Sequence, residues 1–253
     1  MLPRASAPAI DQRLPGVYRP RFLARHLWFP LFAAAVAGSL LMQGGGDAWL
    51  ADRLLQLEGG RWALRDAWAT SVLIHKGGKW LSTAGAFAAL ALCLLPVWRR
   101  GDQRLRWALL YLGLAVGLGT GVVSLLKGAT NMDCPWDLLR YGGDRPFIGL
   151  LQHRPATLPP GACFPAGHAS AGYAWTSLYF FALLWRPAWR HVGLAVGLAA
   201  GLVFGIAQQL RGAHFLSHDV FSLLTCWLVA FGLFILFHGN APTRAENAQE
   251  PRP

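Results

Sequence analysis

Hydrophobic residues in this chain do not alternate with polar ones at a strand or surface-helix period. They run in long blocks separated by short polar turns. Six blocks stand out, at 27–43, 80–98, 107–126, 168–185, 191–210 and 219–238. Each is close to the ~20 residues that cross a bilayer as a helix. The pattern predicts an all-α, polytopic membrane protein, a bundle of six transmembrane helices. Glycine recurs inside the blocks ("LGLAVGLGTGVV", "LAVGLAAGLVFG"), which suits close helix approach in lipid. The first block follows a basic tail at 1–26 and has no small-residue cleavage site behind it, so it reads as a retained span. With no internal repeat or low-complexity tract, 27–238 forms a single membrane domain, and 239–253 is expected to be a flexible tail.

The stretch between the first two blocks departs from this pattern. "GGGDAWLADRLLQLEGGRWALRDAWATSVLIHKGGKW", at 44–79, mixes charge with Trp and Leu and is too polar to span. It predicts an amphipathic helical segment of one or two helices on the outer interface, with Trp at headgroup depth. A plain connecting loop is the alternative.

Composition agrees with a membrane protein and charge orients it. Of 253 residues 54% are hydrophobic and 14% charged, where a soluble domain carries about 25% charged residues. Both tails and the turns at 99–106 and 186–190 hold 13 of the 23 Lys/Arg but 4 of the 12 Asp/Glu. The positive-inside rule then places both termini in the cytoplasm of an inner (plasma) membrane protein. The overall charge of +11 is a topology signal. It is not a nucleic-acid footprint, because no soluble segment carries a basic stripe with interleaved aromatics.

On this topology three polar clusters meet on the outer (periplasmic) face, in loops at 127–168 and 211–219. They are "KGATNMDCPWDLLRYGGDRPF" beginning at Lys127, "FPAGH" ending at His168, and "LRGAHFLSHD" ending at Asp219. Taken singly, Lys127 or Arg211 could be an interface anchor and His168 a helix-cap residue. Together they supply what metal-free phosphoryl chemistry requires. Arg and Lys neutralise oxyanions, one imidazole can attack phosphorus, and another can protonate the leaving oxygen. No C-x2-C or H-E-x-x-H spacing occurs, so neither a metal nor another cofactor is expected.

At these residues the chain resembles the type 2 phosphatidic acid phosphatase superfamily of integral-membrane lipid phosphate phosphatases. That family carries Lys-x6-Arg-Pro, Pro-Ser-Gly-His and Ser-Arg-x5-His-x3-Asp on a six-helix bundle. The resemblance covers about residues 80–238. "PAGH" implies His168 as the acid on the leaving group, with Gly167 and neighbouring amides cradling phosphate. Lys127 matches the first lysine, and "GAHF" implies His214 as the nucleophile. Two positions depart from the pattern: Cys134 stands where the first arginine is expected and Gln208 where the second is. A displaced Arg-Pro at Arg145-Pro146 is taken to fill the first vacancy, and Arg211, one turn past Gln208, the second. His218 or Asp219 would orient His214; the other frame makes His218 the nucleophile.

Cys93 and Cys226 lie inside apolar blocks, whereas Cys134 and Cys163 share the outward loop. A disulfide there is permitted in an oxidising compartment. It would close ~30 residues, worth about 3 kcal/mol by loop entropy; two free thiols are the alternative. The expected function is removal of phosphate from a phosphomonoester or pyrophosphate lipid through a phosphohistidine, with a phospholipid, polyprenyl phosphate or lipid A as the partner in the bilayer. A lipid-to-lipid phosphotransferase and a non-catalytic binding or transport relative are the alternatives.

Overall fold

A computed structural model of the chain describes residues 19–95 and 102–239. Most of the two tails expected at 1–26 and 239–253, part of the 99–106 turn and the end of the 80–98 block lie outside the described residues. Within them the secondary structure is helical, apart from an isolated bridge between Leu138 and Arg145. Four runs are long and apolar enough to cross a membrane: Pro20–Gln43, Gln103–Asp137, Pro187–Leu210 and Leu216–His238.

Helix α1 is Pro20–Gln43, with π-helical turns at Ala24–Trp28 and Ser39–Gln43. Pro30 has no N–H to offer the His26 carbonyl four residues back. The indole Nε1 of Trp227 donates to that carbonyl instead, at 2.7 Å, and so ties α1 to the last helix. Helix α2, Gly46–Leu57, buries Asp47 and Ala51 and exposes Trp49 and Leu57. Helix α3 covers 69–93, π-helical over Ala69–Gly77 and α-helical over Gly78–Cys93. The polar stretch 69–79 is therefore the first turns of the helix that carries the second apolar block. Gly77 and Gly78 keep right-handed helical φ and ψ, so nothing separates the two parts.

Helix α4, Gln103–Thr130, starts where the Asp102 carboxylate accepts from the amides of Arg104 and Leu105 at 3.0 and 3.1 Å. It stops at Asn131, whose φ of 54° is left-handed. Its 28 residues span about 42 Å, more than the ~30 Å of hydrocarbon, so it tilts in the bilayer or extends past it. The fourth apolar block is not one regular helix. It runs as α5, Gly167–Tyr173, a 3-10 turn at Ala174–Ser177, and α6, Leu178–Trp185. Helices α7, Arg190–Leu210, and α8, Leu216–Gly239, complete the bundle.

Tyr111, Phe180, Cys226, Ala230 and Phe234 form the middle of the core. Trp80, Leu81, Phe87, Leu118 and Leu125 face outward and are 48–76% exposed. An exposed apolar surface of that extent is matched by lipid, not water. One face of α7 carries Gly193, Gly197, Gly201 and Gly205 at four-residue spacing. A Cβ on Gly197 would overlap the backbone of Thr176, and one on Gly201 the ring of Tyr173. With no hydrophobic force between helices in lipid, this close approach is what holds α7 against α5 and α6.

Gly197→Leu is expected to lower stability by about 1–3 kcal/mol or more through overpacking. Gly117→Ala, where a Cβ meets nothing within 4 Å, is the matched control. Thermal melting of the two purified variants in one detergent measures the difference.

Candidate active site

One end of the bundle gathers polar side chains from five helices and one long loop. Lys127 sits on the last turn of α4, and a Cβ on Gly167 would lie 3.6 Å from its Nζ. Gly167 opens α5, and the next residue, His168, stacks its ring on His75 of α3, with centroids 3.5 Å apart and planes at 28°. Arg211, at the end of α7, is buried and held through Nη1 and Nε. It donates from Nη1 to His75 Nδ1 at 2.9 Å and to Gln208 Oε1 at 3.1 Å, and from Nε to the Arg65 carbonyl at 2.6 Å. The guanidinium carbons of Arg65 and Arg211 lie 4.4 and 5.8 Å from the centre of the Trp136 ring. Cation–π attraction is strongest on Trp, which suits a ring that must sit beside two arginines.

His214 precedes α8 and is buried beside His168 and Lys127. Its Nδ1 lies 3.4 Å from Nδ1 of His218, one turn into the helix. Burial holds His214 well below the usual imidazole range, and the neighbouring charges act in the same direction. Asp219 faces elsewhere: its Oδ2 accepts from Gln209 Nε2 at 2.5 Å, against Gly205 of α7. The carbonyl of Ala166 accepts from Ser222 Oγ at 2.9 Å, and its amide donates to the His218 carbonyl at 3.1 Å. These bonds fix the start of α5 on α8, and thereby His168 beside His214.

The loop over this end is braced by charge and by sulfur. Asp133 accepts from Arg145 Nη1 at 2.7 Å and from Arg154 Nη1 and Nη2 at 2.7 and 2.9 Å. Arg145 makes a longer pair with Asp144 at 3.9 Å, and has no hydrogen bond or ion pair to the histidines or Lys127. Arg140 pairs with Asp52 of α2 at 2.6 Å, and this hydrogen bond holds the Asp52 carboxyl below its ordinary value. Cys134 and Cys163 form a disulfide with Cα atoms 5.2 Å apart. The Trp136 amide donates to the Gly212 carbonyl at 2.9 Å, so the bridged segment rests on the turn before His214.

Helix α8 has a cap from a distant part of the chain. The Asp47 carboxylate of α2 accepts from the Ser217 amide at 2.9 Å and from its hydroxyl at 2.5 Å. Burial raises the Asp47 pKa, and the two bonds oppose that rise. A carboxylate at a helix N-terminus also favours the helix dipole. Among the described residues no group of three or more His, Cys, Asp or Glu is placed to hold a metal ion.

A groove of about 450 Å³ leads away from this cluster between α3 and α4. Lys79, Lys127 and His168 stand at its polar part. Ala86, Phe87, Leu90, Val116 and Gly117 line its apolar part. Two cations and an imidazole at one end and an apolar trough at the other are suited to an anionic head on an apolar tail.

The structure thus brings together Lys127, Gly167, His168, Arg211, His214 and His218, and turns Asp219 and Arg145 to other partners. It adds residues that sequence reasoning missed: His75, Lys79, Asp47, Trp136 and Arg154. The signal for the first two was present in "IHKGGKW", because His75 and Lys79 are four apart and share a helix face.

The family model described as the PAP2 superfamily matches residues 108–242 of the chain. No curated protein and no solved structure matches it.

The chain has four cysteines, of which Cys93 and Cys226 are free. In denatured protein taken from an oxidising compartment, a thiol-reactive mass tag is expected to label only those two before reduction and all four after it. Four tags before reduction would count against the bridge.

Proposed function

The chain belongs to the PAP2 superfamily, whose members are phosphatases, and on that premise we propose that it removes phosphate from a membrane lipid without a metal. The groove carries this reading. Its polar part holds Lys79, Lys127 and His168, its apolar part runs between two helices, and its volume of about 450 Å³ suits part of an acyl or polyprenyl chain. A soluble phosphate ester has no use for that trough.

In this reading six spans form one domain over 27–238, including the helices at 69–93 and 167–185. Both termini face the cytoplasm, and the catalytic loops lie on the outer face of the inner membrane. The positive charge of the tails and short turns supports the orientation. Helix α2, with Trp49 and Leu57 exposed, lies in the outer interface.

His214 attacks phosphorus through Nε2. That requires its proton on Nδ1, facing the Nδ1 lone pair of His218 at 3.4 Å. The P–N bond forms as the bond from phosphorus to the lipid oxygen breaks, and His168 gives that oxygen a proton. Water then attacks the phosphohistidine, His168 takes its proton, and the P–N bond breaks to release inorganic phosphate and restore both rings. Lys127 and Arg211 bind the oxyanions throughout. Gly167 leaves room for Lys127 beside the phosphate. Arg145 acts through Asp133 by holding the loop in place.

Phosphate release from a panel of phosphomonoester and pyrophosphate lipids, in detergent with chelator, is expected from wild type and to be blocked by vanadate. His214→Ala abolishes it. His168→Ala costs on the order of 10²–10⁴-fold with lipid, but recovers much of its rate on a nitrophenyl phosphate, whose leaving group needs no proton. A phosphoryl group trapped on His218 would overturn the choice of nucleophile. Phosphate passing to a second lipid with none released would identify a phosphotransferase.

A further inference from the structure

His75 enters the phosphate site from a segment outside the residues matched by the family model, which begin at 108. Helix α3 brings it there, and three contacts define its state. Arg211 Nη1 lies 2.9 Å from Nδ1. Arginine has only donors to offer, so Nδ1 must be a bare acceptor. Gln208 Oε1 stands farther from the same nitrogen, at 3.4 Å, and receives the same guanidinium. The ring proton is therefore on Nε2, and a second proton is blocked while Arg211 is in place. The His75 ring also covers the face of His168 at 3.5 Å. A neutral ring there lets His168 accept and release a proton without a like charge stacked on it.

What remains is an imidazole with a fixed N–H and no protein acceptor for it among the described residues. It is stacked on His168, whose neighbouring charges include Lys127 and Lys79, and Lys79 lies four residues on along the same helix as His75. Two neighbouring positions bring no charge to the site, because Cys134 is bound in a disulfide and Gln208 presents its carbonyl oxygen to Arg211. We infer that His75 is a phosphate-binding residue, donating from Nε2 to a phosphoryl oxygen while Arg211 holds its Nδ1, and that the His75–Lys79 turn of α3 completes the oxyanion site. The inference rests on the phosphatase reading for the identity of the anion but concerns binding, so it can be tested without turnover.

The probe is orthovanadate, with affinity measured by calorimetry on the full chain in detergent. Variants are His75→Phe, which keeps the ring on His168 but has no donor, and His75→Gln, whose amide can accept from Arg211 and donate onward. Melting temperatures are measured in parallel. His75→Phe is expected to bind vanadate about 10- to 100-fold more weakly, the loss of one hydrogen bond to a charged group. His75→Gln is expected to recover most of that affinity. If His75→Phe does not fold, His75→Met fills the space without a donor and takes its place. Wild-type affinity in His75→Phe (or its Met replacement), or no recovery in His75→Gln, overturns the inference, as does a wild type that binds no vanadate. Lipid turnover by the wild type is read separately: vanadate binding that depends on His75 in a protein that hydrolyses no lipid overturns the proposed function and leaves this site standing.

Discussion

A buried guanidinium has to have its N–H groups paired, because leaving a charge unpartnered away from water costs several kcal/mol. Arg211 is 8% exposed, and its Nε and Nη1 are paired with groups from three parts of the chain. The Arg65 carbonyl comes from the turn after α2, the His75 imidazole from α3, and the Gln208 amide from its own helix. The Trp136 ring of the bridged loop lies against the same cation. Satisfying one side chain therefore assembles the turn after α2, the third helix and the loop around a single point. That point adjoins His168.

The position of that point along the bundle is set by packing of a different kind. The glycine face of α7 lets the backbone of the 3-10 turn at Ala174–Ser177 and the ring of Tyr173 lie directly against it. That contact fixes α5, and α5 begins at the residue before His168. The same face leaves space at Gly205 for Asp219, whose carboxylate turns toward α7 and bonds to Gln209. Absence of side chains on one helix thus decides where two polar groups of other helices point.

The segment at 44–79 also ties the fold together through its carboxylates. Asp47 caps α8 just beyond His214, and Asp52 binds Arg140 in the long loop. A carboxylate that accepts two hydrogen bonds at a helix start recovers much of what its burial costs. Residues 44–79 are therefore joined to the family-matched region by the Asp52–Arg140 ion pair and by hydrogen bonds of Asp47, Arg65 and His75. The matched residues alone lack His75, Lys79 and the Arg65 carbonyl that accepts from Arg211.

Membrane character, helical class and the family were legible in the sequence, because each depends on local properties. Block length reports span length, and Lys127, "PAGH" and "GAHF" keep their order along the chain. The pairing of functional groups was not legible, because it depends on rotation and distance between elements. His218 and Asp219 are adjacent in sequence, yet each residue of a helix is turned about 100° from the last. One faces His214 and the other faces α7. Arg145 keeps the Arg-Pro signature, but Asp133 and Arg154 nearby in the folded loop draw it into an ion-pair cluster. His75 looked like part of a polar connector, and the bond that gives it a role spans 136 residues. Local composition determined what kind of chain this is; which histidine meets which partner was decided only when packing between helices brought distant residues to hydrogen-bonding distance.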